Sequence, residues 1–175
     1  MEDGMKISRK WAMPSKDTFS IKPIGDLITG HILRTKPLTI VDPFVRNSPF
    51  KSICTSNDLD PEIQADHNID ALEFLKMFND DSVEMLLFDP PYSPRQVSEC
   101  YKKMDKTVNM ETTQSSFWGN LKKEVGRIIR EDGIVISCGW NSGGMGKTNG
   151  MEIIEVMLVA HGGWHNDTIV TVERR

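Results

Sequence analysis

Short apolar runs alternate with segments of helical spacing along this chain, and that alternation admits few folds. Pro37-Leu38-Thr39-Ile40-Val41-Asp42 follows a Lys-Pro break and reads as a buried strand. Before it, Ile24, Leu27, Ile28, His31 and Ile32 fall on one helical face, with Pro23 in the first turn, where a missing N–H costs little. Ser52-Ile53-Cys54-Thr55 predicts a second, weaker strand, and Asp70 is placed to cap a helix carrying Leu72, Leu75 and Phe78. Residues 83–88 (VEMLLF) form an apolar strand. Leu121, Val125, Ile128 and Ile129 then mark an amphipathic helix, with Gly133 as its C-terminal stop. Residues 134–138, 153–160 and 168–172 supply the remaining strands, the last two joined by a turn at Gly162-Gly163. The expected fold is α/β: a mostly parallel sheet with helices on both faces and one antiparallel edge strand from the closing hairpin. Ligands of such sheets sit beyond the carboxyl ends of the strands, where Asp42, Asp58, Asp89 and Gly139 fall.

The 175 residues predict a single domain, 1–175, with 1–17 as a flexible N-terminal segment. No run approaches the ~18 apolar residues of a membrane span, and the first ten residues lack the apolar stretch of a signal peptide. Cys54, Cys100 and Cys138 contain no CxxC pair and make no disulfide framework, which points to a cytoplasmic protein. The net charge of −4 argues against coating nucleic acid by bulk attraction. Its distribution says more. Residues 1–40 hold seven cations and four carboxylates, 41–92 three and eleven, 93–130 eight and four, and 131–175 three and six. Two basic stretches flank an acidic middle.

Asp89-Pro90-Pro91-Tyr92, at the end of the VEMLLF strand, is the most informative tetrapeptide. Two prolines fix φ and remove two backbone donors, so the turn is rigid and the Pro90 carbonyl is expected to face outward. A carboxylate and an adjacent carbonyl form a pair of acceptors that matches the two hydrogens of an exocyclic amine. Accepting both draws the nitrogen towards a pyramidal geometry and frees its lone pair. Tyr92 offers a face for an extruded base. The competing interpretation is a strand-end turn with a capping Asp and a packed Tyr.

In this context residues 83–92 resemble the catalytic motif of the amino-methyltransferases, which use S-adenosyl-L-methionine to methylate adenine-N6 or cytosine-N4. The Asp-Pro-Pro-Tyr spelling is the one typical of the adenine enzymes. Ser20-Ile21-Lys22-Pro23 before a helix resembles their cofactor-side segment, and Asp42-Pro43-Phe44 resembles the end of their first strand. Asp58 resembles the acidic residue on the cofactor ribose, and Asp70 the one near the cofactor adenine. These matches keep the family's order over about residues 18–175. The resemblance implies a Rossmann-like class I methyltransferase fold, with Ser20, Lys22, Pro23, Asp42, Phe44, Arg46, Asn47, Asp58 and Asp70 binding cofactor, and catalysis by Asp89, Pro90, Pro91 and Tyr92. One departure stands out. Where the family usually reads Asp-Pro-Phe-x-Gly-x-Gly, this chain has Val45-Arg46-Asn47-Ser48 after Phe44. Asn47 tolerates a left-handed conformation and partly replaces a glycine. Arg46 either meets the cofactor carboxylate or blocks the pocket.

Residues 93–118 are expected to form a substrate loop, too long for an ordinary connection. Its cations and aromatics, Arg95, Lys102, Lys103 and Trp118 among them, suit phosphates and unstacked bases, and Trp140 lies near the same rim. Residues 141–148 (NSGGMGKT) narrowly miss the pattern of a phosphate-binding P-loop. His161, His165 and Asp167 suit a tight hairpin better than a metal site, and no metal is expected.

The expected function is site-specific, S-adenosyl-L-methionine-dependent methylation of adenine-N6 in DNA. The alternatives are RNA adenine or DNA cytosine-N4 methylation, or a non-catalytic cofactor- or partner-binding protein. No separate target-recognition domain is expected beyond the last strand. Site choice is then loop-encoded, or supplied by a specificity subunit or a homodimer, in the manner of small stand-alone phage enzymes.

Overall fold

The computed structural model describes residues 4–92, 95, 98, 102 and 115–175. Its elements are β1 (Lys6–Trp11), α1 (Lys22–Thr35), β2 (Ile40–Asp42), β3 (Thr55–Ser56), α2 (Ala71–Lys76), β4 (Val83–Phe88), α3 (Ser115–Ile128), β5 (Ile129–Gly139), β6 (Glu152–Ala160) and β7 (Thr168–Arg174). The seven strands form one sheet in the order β1-β6-β7-β5-β4-β2-β3. β7 pairs antiparallel with both β5 and β6, and every other pairing is parallel. The expected antiparallel strand is therefore β7. It stands between β5 and β6 because β6 and then β1 add outside it.

Two apolar layers cover the sheet. Ile24 and Ile28 of α1 pack with Met85, Leu87, Ile134 and Ile136 on one face. Phe74 and Leu75 of α2, with Leu121, Val125 and Ile128 of α3, pack with Val83, Leu86 and Val135 on the other. The alternation of buried side chains along β4 and β5 divides them between these layers, as period-two geometry requires. Helices thus lie on both faces.

Four local expectations need correction. Residues 6–11, read as part of a flexible end, form β1, paired along its whole length with β6. Its side chains are exposed almost throughout, so no buried face marks it in the sequence. The second strand starts at Thr55 because Lys51–Ile53 turn as a 3-10 helix. Gly133 does not end a helix. α3 stops at Ile128, and Gly133 lies in a bulge where Val83 pairs with Ile129 but Met85 pairs with Ile134. A Cβ there would lie 2.6 Å from Ile129 Cγ2 and 2.8 Å from the Arg130 carbonyl, so close approach explains the glycine. Lastly, the 93–118 loop is cut short: Arg95, Ser98 and Lys102 are helical, and α3 already begins at Ser115 because Phe117 extends the apolar stripe of Leu121 and Val125.

The His161 imidazole lies within hydrogen-bond distance of the Ala12 carbonyl (2.9 Å) through Nδ1 and of Thr168 Oγ1 (2.8 Å) through Nε2, tying β1 to the β6–β7 hairpin. No helix among the described residues is long and apolar enough to cross a membrane.

Candidate active site

The carboxyl ends of β2, β3 and β4 open on a cleft of about 730 Å³, within the ~300–1,000 Å³ usual for small-molecule sites. Asp89, Pro90, Pro91 and Tyr92 line it on the β4 side, and Phe44, Arg46, Asn47, Asp58 and Asp70 line it on the β2–β3 side. Nine of the sequence-predicted site residues therefore meet around one space, as the parallel register of β2, β3 and β4 requires.

Each wall is held by backbone hydrogen bonds. Asp42 Oδ1 accepts from the Phe44 N–H (3.0 Å), Asp58 Oδ2 from the Arg46 N–H (3.0 Å) and Asp58 Oδ1 from the Asp60 N–H (2.9 Å). Asp70 caps α2 through the Leu72 N–H (2.9 Å). Asn57, fully buried, joins the walls: its Nδ2 donates to the carbonyls of Pro43 (3.2 Å) and Ile69 (3.0 Å), and its Oδ1 accepts from the Ile69 N–H (3.1 Å). Nothing in the sequence separates this clamping Asn from an ordinary turn residue, because its partners are supplied by the fold.

Arg46 has φ 43°, in the left-handed region, where a non-glycine residue costs roughly 1–2 kcal/mol. The strained position is thus Arg46 and not Asn47. This is the point in the loop where the resembled pattern places a glycine, so the backbone shape is kept although the residue is not.

Asp42 lies beneath the cleft, not in its lining. It is fully buried, and its Oδ2 has no hydrogen-bond partner among the described residues. Burial pushes its carboxyl well above the usual range, the Phe44 N–H opposes this, and the carboxylates of Asp89 and Asp58 add to the rise. Asp89 is also raised, first by desolvation. Hydrogen bonds from Tyr92 and Thr18 and the charge of Arg46 pull the other way. The Tyr92 hydroxyl donates to Asp89 Oδ1, and burial with the adjacent carboxylate raises the Tyr92 phenol.

Four predicted residues are placed elsewhere or act differently. Ser20 donates to the Asp17 carbonyl (2.6 Å), and Lys22 points to solvent, bridging Asp26 (2.7 Å). Pro23 sits in the first turn of α1, away from the lining. The preceding residues, Ser15 to Thr18, supply that wall instead. Trp118 braces the Asp89–Tyr92 turn: its Nε1 donates to the Pro91 carbonyl (3.0 Å), while neighbouring Phe117 lines the cleft. Trp140 packs edge-on against Tyr92 with ring centroids 5.6 Å apart. Arg95 and Lys102 are exposed, and Lys103 lies outside the described residues. No group of three or more metal-ligating side chains comes together among the described residues.

The P-loop-like segment is anchored within the protein. Fully buried Glu173 accepts from the N–H groups of Met145 (2.6 Å) and Gly146 (2.9 Å), and Met145 and Met151 pack into the α2–α3 layer. A carboxylate from β7 holds the donors a phosphate would need, which removes the basis for a nucleotide site there.

No family model matches this sequence, and no curated protein matches it by sequence alone. In three dimensions the chain is similar to 1,6-didemethyltoxoflavin-N1-methyltransferase of Burkholderia thailandensis, solved with 1,6-didemethyltoxoflavin and S-adenosylhomocysteine bound. That match has a TM-score of 0.57 at 11% identity over 88% of this chain and 77% of the other. It is similar to TrmN from Thermus thermophilus (TM-score 0.57, 12% identity, 89% of this chain), of which it spans about half, 49%. It is also similar to N-methyltransferase NodS from Bradyrhizobium japonicum WM9, with TM-score 0.52 and 8% identity over 87% of this chain and 97% of that one. At such identities the likeness is one of architecture: the chain has the Rossmann-like class I methyltransferase fold.

Proposed function

We propose that this chain is an S-adenosyl-L-methionine-dependent methyltransferase acting on an exocyclic base amine, adenine-N6 in DNA. The observation that carries the reading is the Asp89–Tyr92 turn at the carboxyl end of β4, facing the same cleft as Phe44, Asp58 and Asp70.

The cleft suits the cofactor chemically. Among the described residues, Asp17, Asp58, Asp60, Asp70 and Asp89 line it against Lys16 and Arg46, a balance that favours a sulfonium and an ammonium group. Each Asp58 oxygen already accepts one backbone N–H, and a second lone pair on each remains for a ribose hydroxyl. Phe44 and Asp70 then face the adenine end. When bound, S-adenosyl-L-methionine supplies an electrophilic methyl group. Asp89 and the Pro90 carbonyl accept the two hydrogens of the substrate amine, and the Tyr92 hydroxyl gives up its bond to Asp89 so that its ring can stack on the base. Trp118, by fixing the Pro91 carbonyl, keeps the turn in register. No strong base is needed, since the extra proton leaves after methyl transfer.

Arg46 favours a second reading, a methyltransferase-like protein that binds cofactor or a partner without catalysis, because its side chain occupies a wall usually lined by glycine. Radiolabelled methyl transfer to DNA and RNA by wild type and Asp89→Ala separates the two. The expected result is N6-methyladenine from wild type and a loss of at least ~10²-fold in Asp89→Ala, with cofactor binding still detected by calorimetry. Equal incorporation by both proteins would overturn the role of Asp89. Cofactor heat without incorporation would favour the binding protein. The wild-type rate should also fall as pH drops through a value above the ordinary carboxylate range, because ionised Asp89 is the stronger acceptor for the amine hydrogen.

A further inference from the structure

Three of the four tryptophans are exposed, and the sheet order puts all three on one rim. Trp164 is fully exposed, Trp11 is 66% exposed and Trp140 45%. Trp140 follows β5, Trp164 lies in the β6–β7 turn, and Trp11 ends β1. The register aligns these ends with the cleft: Phe88 pairs near Ser137, Gly139 with Ile169, Val159 with Thr168, and Ala160 with Trp11. From β4 to β1 is four strand steps, about 19 Å at ~4.8 Å each. The row begins at the catalytic turn, where Trp140 touches Tyr92, and ends where the Trp11 indole nitrogen comes 3.6 Å from a Cβ built on Gly162 in the β6–β7 turn.

Charge changes along the same row. The cleft is acidic, but between Gly4 and Lys16 the chain carries Lys6, Arg9, Lys10 and Lys16 and no carboxylate. Lys6 is held by Glu155 (2.8 Å), whereas Arg9, Lys10 and Lys16 are exposed and Lys16 also lines the cleft. Asp167 is the exposed carboxylate in the β6–β7 turn. Exposed indoles have little reason to gather at one edge of a folded sheet. With Arg9 and Lys10 beside Trp11 at one end of the row and Lys16 at the cleft, they match the stacking faces and phosphate contacts that hold single strands.

We propose that this rim, running from Tyr92 through Trp140 and Trp164 to Trp11, is a track for an unpaired nucleic-acid strand whose target base enters the cleft. The inference deepens the reading of the cleft as a base-amine methyltransferase site and rests on it for the target base. It commits to an unpaired strand because stacking needs exposed base faces, which a duplex hides.

The test is fluorescence anisotropy with a labelled single-stranded 20-mer oligodeoxynucleotide and its duplex, using the full chain and no cofactor. Wild type should prefer the single strand. Trp11→Ala/Trp164→Ala should weaken that binding by ten-fold or more, with unchanged circular dichroism and cofactor affinity. Arg9→Ala/Lys10→Ala should lower the slope of log K against log salt by about 1.4, two phosphates at ~0.7 each. In methyl-transfer assays the tryptophan pair should raise KM for the oligonucleotide while kcat holds.

Failure of the track and failure of the enzyme reading are distinguishable. Methylation with unchanged KM and affinity in the tryptophan pair would overturn the track and leave the enzyme standing. Binding lost in the variants without any methylation would support the track as a binding surface and remove the enzyme. Preference for duplex, or no binding by wild type, would overturn the proposal. So would a wild-type dimer in sedimentation that the tryptophan pair dissolves while oligonucleotide affinity stays unchanged, since the rim would then bind a second copy.

Discussion

Two loops in this molecule resemble glycine loops built for a ligand, and they have opposite fates. Residues 141–150 hold four glycines around Met145 and Lys147, Gly143, Gly144, Gly146 and Gly150, yet the N–H groups of Met145 and Gly146 turn inward to Glu173. Residues 43–48 carry no glycine at all, yet they wall the cleft, with Arg46 held at φ 43° by a bond from its N–H to Asp58. Glycine content shows where backbone can bend. Whether a ligand can bind depends on which backbone donors the rest of the fold has already engaged.

Glu173 anchors the inward-facing loop. Glu173→Ala leaves the N–H groups of Met145 and Gly146 without an acceptor inside the protein, and each such loss costs about 1–3 kcal/mol. The expected loss is about 3 kcal/mol in urea denaturation, with faster amide exchange through 144–151. Methyl transfer should survive under conditions where the variant is folded, because Glu173 pairs with Ile153 at the start of β6, at the opposite end of the sheet from the cleft. An undiminished midpoint would mean that the carboxylate is not the anchor. Gly144→Ala tests the same contact from the other side: at φ 50°, a Cβ there would overlap the Glu173 carboxylate.

Asp42 anchors the cleft-facing loop, since its Oδ1 accepts the Phe44 N–H at the start of residues 43–48. Its folded pKa lies well above the ordinary value, so the folded state holds a proton that the unfolded chain releases. Stability should therefore fall as pH rises through the window between the ordinary carboxylate value and the raised one. Asp89 shifts in the same direction and adds to the slope. Asp42→Asn keeps an oxygen for Phe44 and removes the titration, so its stability should be flatter as pH rises above the ordinary carboxylate value. Identical slopes in both proteins would show that Asp42 does not carry this dependence.

These loops also show why some of the molecule is legible in the sequence and some is not. The interior strands were readable because a six-residue apolar run such as Val83–Phe88 can be buried on both faces in few other ways. Asp70 was readable as a cap because its partner, Leu72, lies two residues away. β1 was not, since strand pairing with β6 and not burial makes it a strand. The role of Trp118 depends on a carbonyl 27 residues earlier in the chain, and the clamp by Asn57 on Pro43 and Ile69. Local chemistry is written in local sequence, whereas a contact between distant segments acquires its meaning only from the fold. Ser20 and Lys22 illustrate the reverse error: the motif was recognisable, but the wall is built by Ser15 to Thr18 just before it.

Arg46 gives the smallest effect and the finest discrimination. Replacing it by glycine removes a left-handed penalty of roughly 1–2 kcal/mol and adds back roughly 0.5–1 kcal/mol of backbone entropy. Arg46→Gly should thus stabilise the fold by about 0.5–1 kcal/mol, keeping the N–H bond to Asp58. The same change removes the cation that holds the Asp89 carboxyl down against desolvation. Its acid limb of methyl transfer should move to higher pH even as the protein becomes more stable. Thermal denaturation and the pH–rate profile, measured on one preparation, read the two consequences separately. A stabilised variant with an unmoved limb would mean that the side chain only fills space, and that the glycine of the resembled pattern could be restored without changing the chemistry at Asp89.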